Sequence, residues 1–230
     1  MKSVRKQTNR SAFTLIELIF AIVIISIGVL ALPTVLFTNA ASQEQTLKEE
    51  GIMLTTTKIA QILTYPWDQN SSPLSIMSTS QVLTTIANPP DGLERNGISD
   101  FRIGHFPGEL RRRMTPYSNE RNATSIGGAN NIGSFNNEEV TIGAAGSDQG
   151  YKKEYNITTS VIYVDDNATY SATNVVYNFG TVAVPGATSN IKMVQVSTAE
   201  KDAAGAWQPI IVMRSYSANI GEAEFYKRRY

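Results

Sequence analysis

The chain has 230 residues, enough for one ordinary domain with an appendage or for two small domains, and its 20 basic and 20 acidic residues cancel to a formal net charge of zero. Cysteine is absent, which excludes disulfides, zinc ribbons and thiol catalysis, and the single histidine, His105, excludes a multi-His metal centre. Charged residues make up 17%, below the roughly 25% of soluble chains, so neither disorder nor a nucleic-acid-coating polycation fits.

The zero average hides an uneven layout. Residues 1–12 hold Lys2, Arg5, Lys6 and Arg10 and no acid; the remaining 16 bases and 20 acids give −4. Residues 18–37 then run without a charge. As a helix this stretch is about 30 Å long, the thickness of a hydrocarbon core. Basic residues before it and no second such run after it predict a single-pass topology, with the N-terminus in the cytoplasm and everything after about Phe37 outside. The run continues through Leu30-Ala31-Leu32-Pro33 to Phe37, unlike the shorter apolar core of a secretory signal. Gly28 and Pro33 are the places where the span can bend.

Glu17 lies among Phe13, Leu15, Ile16, Leu18 and Ile19 at the cytoplasmic lip of the span, with no nearby Lys or Arg after it. A carboxylate at bilayer depth is costly, so Glu17 either snorkels to the headgroups or has a partner. A cut before Phe13 would create an α-amino group about one helical turn away.

The segment Ser11-Ala12-Phe13-Thr14-Leu15-Ile16-Glu17-Leu18-Ile19 resembles the cleavage and methylation motif of type IV prepilins and type II secretion pseudopilins. The resemblance covers only about the first 35 residues, and the family usually has Gly where this chain has Ala12. It implies removal of the leader between Ala12 and Phe13 by a membrane prepilin peptidase and N-methylation of Phe13. It also implies pairing of Glu17 with the Phe13 amine of a neighbouring subunit. Stacking of similar helices is a heterologous contact that extends rather than closes.

Beyond the bilayer, Leu47, Leu54, Ile59, Ile62 and Leu63 recur at helical spacing, so the helix is predicted to continue over residues 38–65 and to stop at Pro66. Gly51 and Thr55-Thr56-Thr57 are weak helix formers, which requires packing against a head. Residues 66–154 are rich in Gly and Asn and read as irregular, with a short helix near residues 75–86. From Tyr155 the period becomes two. Tyr155, Ile157, Val161 and Tyr163 face one way, and Asn156, Thr158 and Ser160 the other. Further strands are predicted over residues 174–182, 191–198 and 209–217. The expected architecture is α+β and pilin-like: a long N-terminal hydrophobic helix packed against a C-terminal antiparallel sheet head over residues 155–230.

No G-x-S-x-G, Walker or H-E-x-x-H motif occurs. His105 with Glu109 and Arg111 is weak acid/base evidence, and Arg111-Arg112-Arg113 lacks the aromatic platform of a nucleic-acid site, so neither an enzyme nor a DNA partner is expected. Asp165 and Asp166 supply oxygens suited to Ca²⁺, but without an EF-hand spacing a hairpin turn is the favoured reading. The part after the span contains four Asn-x-Ser/Thr sites, at Asn70, Asn122, Asn156 and Asn167, and each has an acid two residues before the Asn. This acid-x-Asn-x-Ser/Thr form resembles the acceptor of bacterial oligosaccharyltransferases. With acids at 20 of 230 positions, four out of four would be a coincidence of about one in ten thousand for independent positions, and acid-rich turns raise those odds considerably. The pattern raises the hypothesis of N-glycosylation outside the cytoplasm, with Asn156 on the polar strand face as an accessible site.

The function expected is that of a structural minor subunit, pilin or pseudopilin, anchored in the bacterial inner membrane before entering a filament of like subunits. The alternatives are a single-pass anchored extracytoplasmic enzyme or ligand-binding module, and a filament-tip adhesin or DNA receptor.

Overall fold

A computed structural model describes residues 14–71, 81–85, 121–143, 150–151, 153–166, 168–169, 172–177, 180, 182, 186 and 188–221. The chain divides into two compact units, with the boundary between Lys48 and Glu49. One helix, α1 (Leu15–Leu63), enters both.

In the first unit α1 is the one helix among the described residues long and apolar enough to cross a membrane. Its large apolar side chains from Leu15 to Phe37 are 48–77% exposed, the reverse of a core helix in water. The helix runs through Gly28 and Pro33 without interruption. Its hydroxyls are satisfied internally: Ser26 donates to the Ile22 carbonyl at 2.7 Å and Thr38 to that of Thr34 at 3.0 Å. Such back-bonding keeps polar groups tolerable in hydrocarbon.

In the second unit the last turns of α1 cover a four-stranded antiparallel sheet of order β1-β2-β3-β4, namely Glu138–Ile142, Tyr155–Val164, Ile191–Lys201 and Trp207–Ala218. The fold is thus pilin-like α+β. Alternation puts Tyr155, Ile157, Val161 and Tyr163 of β2 on the face toward the helix, as expected from their spacing. Ile59 and Ile62 of α1 join Ile132, Ile157, Val161, Val194 and Val196 in the main core. The two weak helix formers sit at the closest approach. Gly51 leaves space that the Ile210 side chain occupies, and Thr55, fully buried, meets the Thr198 hydroxyl at 2.7 Å. Packing, rather than propensity, holds this part of the helix.

Three expectations are corrected. The helix ends at Leu63, before Tyr65, because Thr64 and Tyr65 turn back through i→i−3 bonds to Gln61 and Ile62. The fourth strand of the sheet is Glu138–Ile142, inside the stretch read as irregular, and the described residues of the expected 174–182 strand are not in strand conformation. β2 and β3 pair directly over ten positions, and the described residues 174–177, 180 and 182 between them form no strand. Val175 and Val176 are exposed there, while Tyr177 packs onto the Val164, Ile191 and Met193 cluster. Finally, residues 81–85 of the expected 75–86 helix are non-helical. Thr84 instead forms a parallel bridge with Asn122, and Asn219 brackets Leu83 by accepting from its N–H and donating to its carbonyl. The rest of that segment lies outside the described residues.

Candidate functional site

The start of α1 is built by Thr14. Its hydroxyl accepts from the Glu17 backbone N–H at 3.4 Å and its carbonyl from Leu18 N–H at 3.2 Å. The four residues Thr14-Leu15-Ile16-Glu17 have the T-x-x-E spacing of a capping box, which places the Glu17 carboxylate in the first turn at the positive end of the helix dipole. That role for Thr14 is legible in the sequence from the T-x-x-E spacing alone. Glu17 is exposed and joins no ion pair among the described residues. Ala12 and Phe13, the expected cleavage and methylation positions, lie outside them.

In the head the most concentrated chemistry is a buried ion pair. After the helix ends at Leu63 the chain turns through Pro66 so that Asp68, fully buried, faces Lys192 of β3, which is 1% exposed. The Lys192 Nζ donates to the Trp67 carbonyl at 2.6 Å and to Asp68 Oδ2 at 3.3 Å. It lies 4.3 Å from the Trp67 ring centre and 5.0 Å from that of Tyr163. Asp68 also accepts from Asn70 N–H at 2.9 Å, from Thr124 N–H at 3.0 Å and from the Thr124 hydroxyl at 2.9 Å. Burial pushes the Lys192 ammonium below its usual range, with Asp68 pulling the other way. Burial and the Asp68 charge push the Tyr163 hydroxyl up. The cluster ties β3, the turn after α1 and residues 121–126 together, as a structural rivet. Sequence reasoning missed it because period two read Lys192 only as part of a strand.

The same cluster explains part of the acid-before-Asn pattern. Asp68, two residues before Asn70, is a core group; Glu154, two before Asn156, pairs with Lys201 at 2.9 Å. The accessibility expected of Asn156 is corrected: it is 9% exposed, and its amide donates to Glu139 Oε1 at 2.6 Å. Strand β1, absent from the sequence reading, brings that carboxylate beside it. Asn70 is half-buried and donates to the Asn122 carbonyl at 3.0 Å. Asn122 is exposed, and Asn167 lies outside the described residues.

Asp165 is exposed and Asp166 buried, and no group of three or more carboxylate or imidazole side chains suited to a metal ion forms among the described residues. His105, Glu109 and Arg111 to Arg113 lie outside them. On the outer face of β1 to β3 a groove of about 290 Å³ is lined by Asn137, Glu139, Thr158, Ser160, Gln195 and Ser197 among others. These groups offer hydrogen bonds but no nucleophile held by a base.

Residues 7–33 match the family described as the Prokaryotic N-terminal methylation motif. No curated protein and no solved structure matches the chain. The chain therefore carries a prepilin-type methylation motif at the head of a membrane-length helix on a pilin-like α+β fold, in agreement with a pilin or pseudopilin assignment.

Proposed function

We propose that this chain is a non-enzymatic minor subunit of a type IV pilus or type II secretion filament, held in the bacterial inner membrane before assembly. A prepilin peptidase removes residues 1–12 on the cytoplasmic side, Phe13 is methylated, and the head stands outside. One observation carries the reading. Glu17 opens an apolar helix whose side chains are exposed from Leu15 to Phe37, and no cation among the described residues pairs with it. The amine freed at Phe13 of a neighbouring subunit supplies that cation, and stacked spans cover the apolar surface.

N-terminal sequencing of the mature protein is the direct test, with methyl-Phe13 as the expected first residue. A mature chain that keeps residues 1–12 overturns the proposal. Glu17→Ala is expected to stay membrane-inserted yet fail to enter filaments. Because Glu17 also belongs to the helix cap, Thr14→Ala separates the roles: it weakens the cap and leaves the carboxylate, so loss of assembly greater in Glu17→Ala points to charge pairing.

A further inference from the structure

The fold treats the Asn-x-Ser/Thr tripeptides unequally. Asn156 is 9% exposed with its amide committed to Glu139, and Asn70 is half-buried with its amide committed to the Asn122 carbonyl. Asn122 differs. Its backbone is pinned by neighbours, since Thr84 donates to the Arg121 carbonyl at 3.1 Å and accepts from Ala123 N–H at 2.8 Å. Ala123 turns into the core at 5% exposure, while the Asn122 side chain lies exposed and bonds to nothing among the described residues. From this contrast we infer that Asn122 is the acceptor of an N-linked glycan on the head. The inference rests on the proposed placement of the head outside the cytoplasm.

The reaction needs an activated donor, a lipid-linked glycosyl diphosphate, and a membrane transferase. The Asn122 Nδ2 attacks the anomeric carbon and forms the N–C1 bond. The C1–O bond to phosphate breaks, the diphosphate lipid leaves with the bonding pair, and the amide gives up one proton. No oxidant or reductant enters. The order of events follows from Thr124, the hydroxyl residue of the tripeptide. In the folded head its hydroxyl is held by Asp68 and its carbonyl accepts from the Tyr163 hydroxyl at 2.6 Å. Transfer therefore precedes the seating of Thr124, and the finished fold carries the sugar outward from Asn122 without breaking a contact. A sugar on Asn156 would instead have to displace the Glu139 contact at the β1–β2 edge.

Peptide mapping by mass spectrometry of the mature chain from its source cell tests this. A glycan mass on the peptide containing Asn122 is expected, and Asn122→Gln is expected to remove it and to leave Tm unchanged. A bare Asn122 overturns the inference, whether or not another Asn is modified. The N-terminal peptide of the same digest keeps the two readings apart. Methyl-Phe13 with a bare Asn122 overturns only the glycan, whereas retained residues 1–12 overturn only the filament reading.

Discussion

Lys192 and Asp68, separated by 124 positions in sequence, form an ion pair with no appreciable exposure on either side, 1% and 0% for the side chains. Removing two charges from water costs several kcal/mol each, so their retention depends on the other groups around them. The Trp67 carbonyl and two aromatic faces receive the ammonium; three further donors receive the carboxylate.

The two partners are not equivalent when removed. Asp68→Asn leaves a buried ammonium facing a neutral amide and is expected to cost about 3–5 kcal/mol. Lys192→Met leaves a carboxylate that still accepts three hydrogen bonds and is expected to cost less. Urea unfolding of both single variants and the double variant in the full chain, followed by Trp67 fluorescence, gives the coupling energy. Additive losses would show that the pair contributes nothing as a pair.

The tyrosines of the core set an alkaline limit. Tyr163 and Tyr155 both have hydroxyls pushed above the usual value of about 10, chiefly by burial, then by Asp68 for Tyr163 and by the Glu50 bond at 2.7 Å for Tyr155. Their folded pKa values exceed the unfolded ones. The stability they contribute is thus complete below about pH 10 and is lost as pH rises above it. Lys192 has the opposite sign: its lowered folded pKa makes stability rise with pH up to its unfolded value of about 10.5. Two tyrosines against one lysine predict a net fall in Tm above about pH 10. Tyr163→Phe is expected to flatten that fall, which thermal melts by circular dichroism across pH 8 to 11.5 would show.

Much of this was readable in residue order, for stated physical reasons. The span, the helix beyond it and three of the four strands carry strong periods, and Tyr155–Val164 has the bounds its alternation predicts, with Tyr155, Ile157, Val161 and Tyr163 buried. Strand Glu138–Ile142 escapes the same reading because its first inward position is Glu138, an acid that pattern assigns to water. It points inward since Lys58 of α1 meets it at 2.8 Å. Asn156 misled for a related reason: its face was correct, but burial on that face depends on Glu139 of a strand the pattern did not contain. Thr14 and Glu17 could be read locally as a cap; Lys192 with Asp68 could not, because only the folded sheet brings them together.

The helix–sheet contact contains one polar seam. Thr55 donates to the Gly51 carbonyl at 2.7 Å, which leaves its oxygen to accept from Thr198, and both side chains have no exposure. Thr55→Val strands the Thr198 hydroxyl in the core and is expected to cost about 1–3 kcal/mol. Thr198→Val removes the donor but leaves Thr55 bonded to its own helix, so a smaller loss is expected. The double variant, with both hydroxyls replaced by methyl groups of similar shape, should recover most of the Thr55→Val loss in chemical denaturation. A double variant as unstable as the sum of the singles would mean that packing, not hydrogen bonding, controls the seam.

Gly51 sets how closely α1 lies on β4. A Cβ there would sit 2.8 Å from Ile210 Cδ1 and 3.2 Å from its Cγ2, tighter than a carbon contact allows, yet the obstacle is a side chain that can rotate. Two terms then compete. Replacing a helical Gly by Ala favours the helix by about 1 kcal/mol, and overpacking opposes it by about 1–3 kcal/mol. Gly51→Ala is therefore expected to be mildly destabilising, and Ile210→Val in the Gly51→Ala background, by removing the Cδ1, is expected to restore stability to or above the starting value. Gly51→Leu has no such escape and should lower Tm markedly, with the helix displaced from Ile210. If Gly51→Ala raises Tm without any change at Ile210, the spacing between helix and sheet is looser than this contact implies.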